Sequence, residues 1–160
     1  MVLIHIFLGL AMNYDDNNTF AKILRNDLPS ERVYEDEYTL AIMDIMPRSN
    51  GHVLVLPKTP VRNMLDITPQ ALCHCITTVK KIGHAVIKAF DADGLTIQQF
   101  NETAGGQVVF HLHYHVLPRY NNVELISHVS HVADSLVIKA NAEKIRNSLN
   151  LVSFENKLMT

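Results

Sequence analysis

The chain has 160 residues, 48% apolar and 19% charged, with six Gly and six Pro. This excludes disordered, collagen-like and low-complexity classes and predicts one domain able to bury its own core. Fourteen Lys and Arg against sixteen Asp and Glu give a formal charge of -2, too balanced for a nucleic-acid binder that works by general attraction to phosphates.

The leading residues 1–12, MVLIHIFLGLAM, are apolar but too few to span a bilayer, and they lack the basic start of a signal peptide. Residues 1–18 are read as an N-terminal extension, with Met12 an alternative start, and no membrane partner is expected. Phe20, Ile23 and Leu24 are spaced for one face of a short helix that Pro29 ends. Val33 and Tyr34 begin a strand, and the apolar run from Thr39 to Ile45 forms a second. Asn50-Gly51 supplies a turn, and HVLVLPK returns as a strand, so residues 39–57 read as an antiparallel hairpin.

Thr68-Pro69 is a cap followed by proline at the first helical position. Leu72, Ile76, Val79, Ile82, Val86, Ile87 and Phe90 then recur at three- and four-residue steps until DADG ends the run at Gly94. The spacing predicts a helix of about six turns. LTIQQFNE reads as a strand, TAGGQ as a small-residue loop, and VVFHLHYHVLP as a strand ending at Pro118. Residues 121–160 form a tail with a modest helix over 140–149, packed on the same domain. Hairpin strands around one long helix predict an α+β fold with a mostly antiparallel sheet. Cys73 and Cys75 are too close in sequence to staple distant segments, so a reducing cytoplasm is expected.

Nine histidines are about twice average usage. His111, His113 and His115 stand at alternate positions of a predicted strand, which puts their rings on one face. A strand HxH with His52 as a further ligand can hold a transition metal, but no acidic or thiol residue flanks this strand. The loop Thr103–Gln107 offers small residues with free N–H groups that let a phosphate approach. Neutral imidazole is a competent nucleophile near pH 7. A phosphate held by that loop and met by a histidine would give covalent phosphoryl or nucleotidyl transfer without a metal, a reading that competes with the metal site. The Cys73-His74-Cys75 triplet points three ways around a helix and reads as packing, His128 and His131 as a solvated pair, and Lys80-Lys81 as an exposed charge.

HLHYHVLP resembles the histidine-x-histidine-x-histidine signature of the histidine triad (HIT) nucleotide-binding superfamily. FAKILRNDLPSERVYEDE, AIMDIMPRSNGHVLVLPK and NETAGGQVVFHLHYHVLPR extend the similarity over residues 19–120, taken as the HIT-like domain. The likeness is to the branch that hydrolyses purine nucleoside 5′-phosphoramidates and related adenylates. It implies a five-stranded sheet continued across a homodimer, purine nucleotides as ligands and no cofactor. It also implies that His113 is the nucleophile, its second ring nitrogen held by a backbone carbonyl. By the same resemblance His115 contacts phosphate oxygens, and His111 with His52 forms the polar support behind the nucleophile. Gly106, Gln107 and Val108 form the phosphate loop, and Asn101 contacts phosphate and ribose. Asp44, with Ile45 beside it, grips the ribose hydroxyls, and Phe20, Ile23 and Leu28 line an apolar slot for the base. A nucleotide-binding adaptor with incidental hydrolysis is the alternative.

Three features depart from the family pattern. Asn18 and Ala21 stand where many bacterial relatives carry a zinc-binding cysteine pair, so no zinc is expected there. Val108 replaces the serine that in animal relatives helps protonate the leaving amine. The chain has no Trp, so the C-terminal tryptophan by which some relatives sense long substrates is missing.

Overall fold

A computed structural model describes residues 14–127 and 131–158. The apolar residues 1–12 and His128 lie outside the described residues. Asn18 caps the first helix, α1 (Thr19–Leu24), its side chain accepting from the Ala21 N–H at 2.9 Å. The helix stops well before Pro29, because Asn26 turns the backbone into the left-handed region at φ 66°.

Four short strands and one long helix follow in order: β1 (Arg32–Glu35), β2 (Thr39–Met43), β3 (Val53–Pro57), α2 (Pro69–Phe90) and β4 (Gly94–Gln98). A 3₁₀ turn (Thr103–Gly105) leads to β5 (Tyr114–Arg119), and α3 (Ser135–Leu158) ends the fold. The strands make one five-stranded antiparallel sheet in the order β1-β2-β3-β5-β4. The expected hairpin is present, with Thr39 opposite Pro57 and Met43 opposite Val53. At its turn Gly51 sits at φ +85°, where a Cβ would collide with the Phe90 ring.

Every residue of β2 and β3 is buried, because both faces of the sheet are covered. Alternation divides the side chains. Ala41, Met43, Val53, Val55, Tyr114 and Val116 face α2 and α3 in the larger core. Leu40, Ile42, Leu54 and Leu56 face Phe20 and Ile23 of α1 in a smaller one.

α2 begins at the Thr68 cap with Pro69 in its first turn and ends at Asp91, which takes the left-handed conformation. Its buried stripe is Cys75, Thr78, Val79, Ile82, Gly83, Ala85 and Val86. Ile76 and Ile87, expected on that stripe, are 47% and 37% exposed. They flank a face on which small side chains let the sheet approach. Cys75 packs in the core while Cys73 is exposed, and His74 stacks on Tyr38 at 3.8 Å between ring centroids. Lys81 lies over the Tyr34 ring and donates to its hydroxyl at 3.0 Å.

The tail departs most from expectation. Instead of a modest helix over 140–149, α3 runs 24 residues and is the second long helix of the fold. Ile138, Ala142, Ile145 and Leu149, at 4-3-4 spacing, join the larger core. Arg146 fastens α3 to β1 by donating to the Arg32 carbonyl at 2.7 Å and to Glu31 at 2.9 Å.

Candidate active site

The three alternating histidines straddle the start of a strand, with His111 and His113 preceding β5 and His115 within it. The extended backbone still alternates: Leu112, Tyr114 and Val116 enter the larger core, which leaves the imidazoles on the α1 side. Phe20 presses edge-on against His113 at 4.9 Å and His111 at 6.2 Å. His113 and His115 lie 5.0 Å apart, ring centre to ring centre.

The hairpin brings in the other two groups. The Asp44 N–H donates to the His52 carbonyl at 3.1 Å, continuing the β2–β3 ladder by one step beyond Met43 and Val53, so both residues sit at its turn end. Leu54 pairs with His115 across β3 and β5, and His52, two residues before it on the same face, meets His115. The His52 Nε2 and His115 Nδ1 are 2.9 Å apart.

Hydrogen bonds assign the tautomers. The His111 carbonyl can only accept, so His113 donates from Nδ1 at 2.7 Å and keeps a lone pair on Nε2. Burial lowers the His113 pKa, which maintains the neutral ring. The Arg48 N–H can only donate, at 3.3 Å to His52 Nδ1, so His52 donates from Nε2 to His115 Nδ1. His115 then carries its proton on Nε2, ready for an oxygen acceptor. His111 donates from Nε2 to the Pro57 carbonyl at 2.9 Å, and burial pushes its pKa down to about 4.

Asp44 lies with Oδ2 3.4 Å from His52 Nδ1, and burial raises its pKa to about 6. Asp44, His52 and His115 offer ligand atoms within 4.8 Å of one another. Tertiary structure thus supplies the acidic neighbour that the flanks of the histidine row lack, and this trio, rather than His111 and His113, could hold a metal.

The loop before the histidines is more closed than its composition suggests. Gly105 and Gln107 both donate to the Glu102 carbonyl at 3.0 Å, and Gly106 donates to Thr103 at 3.0 Å. Those N–H groups, expected to be free, are satisfied by the 3₁₀ turn. Gly106 stands at φ +90°, where a Cβ would lie 3.3 Å from the Phe100 ring. Gln107, 3% exposed, spends its side-chain amide on the Arg62 and Val109 carbonyls and its oxygen on the Glu102 N–H. Arg62 grips Glu102 through two bonds at 2.7 and 2.8 Å. Asn101 accepts from the Met64 N–H at 3.0 Å. Val108, by contrast, is 84% exposed.

Phe20 and Ile23 are buried in the smaller core beside the histidines, whereas Leu28 and Ile45 are 39% and 54% exposed. The structure therefore gathers His52, His111, His113, His115, Asp44 and Phe20 into one cluster and leaves Leu28 and Ile45 at the surface. One neighbour was not legible in the sequence. Tyr14, from the extension, hydrogen-bonds His111 Nδ1, and only its aromatic character amid polar residues hinted at a buried contact.

A two-sided α+β sheet with a buried imidazole row beside the turn end of a hairpin defines a histidine-triad domain. The HIT domain profile matches residues 25–122, and the chain belongs to that family. A Hit-like protein of Bartonella henselae superposes with a TM-score of 0.80 at 48% identity, covering 85% of this chain and 99% of that one. The Hit protein of Bacillus subtilis is 40% identical over 109 residues, 68% of this chain and 75% of the relative. An adenylylsulfatase of Arabidopsis thaliana is 36% identical over 100 residues, 62% of this chain and 51% of the relative.

Proposed function

We propose that the protein is a nucleotide-binding hydrolase or transferase acting at the α-phosphate of purine nucleoside 5′-phosphoramidates or related adenylates without a metal. The observation that carries this reading is the bond from His113 Nδ1 to the His111 carbonyl at 2.7 Å, which leaves a neutral Nε2 lone pair on a ring 7% exposed. That lone pair attacks the α-phosphorus as the bond to the leaving group breaks, forming a nucleotidyl-histidine. The His115 Nε2–H hydrogen-bonds a non-bridging oxygen as charge builds. Water then cleaves the phosphorus–nitrogen bond and releases the nucleoside monophosphate. Val108 has no side-chain proton for the departing amine, so that proton comes from water, a histidine or the substrate.

Asp44 accepts from the ribose hydroxyls, and Phe20, Ile23, Leu28 and Ile45 border the base. Gly106, Gln107, Val108 and Asn101 shape the phosphate side. The name of the Arabidopsis relative fits an adenylate with sulfate as leaving group. β4 is an edge strand with Ile97 44% exposed, and homodimerisation through it continues the sheet. The free thiols of Cys73 and Cys75 accord with a cytoplasmic location.

His113→Ala is expected to lower turnover of adenosine 5′-phosphoramidate at least ~10³-fold, as loss of a covalent nucleophile does. Near-wild-type turnover in that variant would overturn the mechanism. A chelator is expected to leave activity unchanged, whereas a metal at Asp44, His52 and His115 would make it chelator-sensitive.

A further inference from the structure

Resting on that reading of His113, we infer that Tyr14 is a positioning residue, whose hydroxyl fixes the His111 ring and through it the carbonyl that aims the nucleophile. Tyr14 lies outside the residues 25–122 matched by the family profile. Its place is set by the turn before α1, where Asn18 donates to the Asp15 carbonyl at 2.7 Å and Arg25 to the Asp16 carbonyl at 2.6 Å.

The direction of each bond follows from the groups involved. The Pro57 carbonyl has only lone pairs, so His111 donates to it from Nε2. Burial keeps His111 neutral, so Nδ1 carries a lone pair and needs a donor. The Tyr14 hydroxyl is the donor in place, and burial raises its own pKa, which preserves the phenol. The Tyr14 ring also packs edge-on against His111, 5.6 Å between centroids at 63°. His111 is fully buried at 0% exposure, so a misplaced imidazole proton has no water to relieve it. One donor at Nδ1, one acceptor at Nε2 and the Phe20 ring packed against it leave His111 a single tautomer and orientation. Its main-chain carbonyl then holds His113 Nδ1–H. The extension thus reaches the nucleophile's ring through two hydrogen bonds, Tyr14 to the His111 ring and His113 to the His111 carbonyl, with the bond from His111 to Pro57 anchoring the far side of the His111 ring.

Tyr14→Phe keeps the ring and removes only the hydroxyl. Long-range proton–nitrogen spectra of the substrate-free protein are expected to show His111 of the wild type as the Nε2–H tautomer, with a slowly exchanging Tyr14 hydroxyl proton coupled to Nδ1. In Tyr14→Phe the His111 signals should shift or split into two tautomers and the His113 Nδ1–H signal should move. kcat for adenosine 5′-phosphoramidate should fall about tenfold with KM changed less than about twofold. Unchanged imidazole spectra together with unchanged kcat would overturn the inference, as would an uncoupled, freely exchanging Tyr14 hydroxyl in the wild type. Should the wild type fail to turn over the phosphoramidate while Tyr14→Phe still disturbs both rings, the catalytic reading falls and the positioning role stands.

Discussion

The two faces of the sheet are built from the same strands, yet they answer different demands. On the α2–α3 side, alternate residues such as Val53, Val55 and Val116 meet Ile82, Val86 and Ile145 in an apolar core. On the α1 side the intervening positions supply Leu40, Ile42, Leu54 and Leu56, but that layer gives way to four buried imidazoles, His52, His111, His113 and His115. Removing atoms from the first face costs packing. The second face instead carries buried polar groups, each dependent on a specific partner. The comparison teaches that one short helix is sufficient cover where rings are held by hydrogen bonds rather than by volume.

The sharpest way to break the contrast is to truncate one side chain on the larger core and compare it with His113→Ala. Ile82→Ala, at a position with 0% exposure, is expected to cost about 2–5 kcal/mol of unfolding free energy. Turnover per folded molecule should stay unchanged, the reverse of the His113→Ala outcome. Denaturant titration beside single-turnover assays would decide this.

Next in size is the effect of acid. Burial lowers the His111 pKa to about 4, so the stability this neutral ring contributes is complete above its ordinary value near 6.5 and is lost as pH falls toward 4. His113, lowered for the same reason, acts in the same sense. Asp44, raised by burial from 3.8 to about 6, works oppositely: its contribution is complete below 3.8 and lost as pH rises through 6. Asp44→Asn should therefore add ~2–3 kcal/mol at pH 7 and make stability fall more steeply between pH 6.5 and 4. Melting curves across that window test the sign. A variant no more stable at pH 7 than the wild type would show that Asp44 is not a desolvated carboxylate. The same substitution should raise KM for ribonucleotide substrates more than for 2′,3′-dideoxy analogues.

The smallest effect sharpens the comparison at the loop. Gly106→Ala forces a side chain to φ +90° and against the Phe100 ring, a strain of about 1–2 kcal/mol. Its expected signature is a loss of turnover exceeding the loss of stability, because Phe100 also packs edge-on against His115 at 5.6 Å.

Much of this is legible in the sequence. The Thr68 cap, the Asn50-Gly51 hairpin and the histidine alternation are local signals, governed by backbone geometry within a few residues. The full length of α3 is hidden in the sequence because its buried apolar positions are mixed with exposed ones such as Leu136 and Val137, 71% and 50% exposed. Only docking on α2 and β1 selects the stripe that is buried. The loop N–H groups looked free because composition does not reveal that Glu102 lies within reach of two of them.

The sequence by itself determined the strand alternation, the helix caps and the alternating placement of His111, His113 and His115, since each depends on a period of two or 3.6 residues. Tertiary structure alone decided which nitrogen of each ring carries the proton, that Asp44 faces His52, and that Tyr14 reaches His111. Those facts rest on hydrogen-bond partners as many as 97 positions apart in the chain, and no local pattern encodes such a meeting.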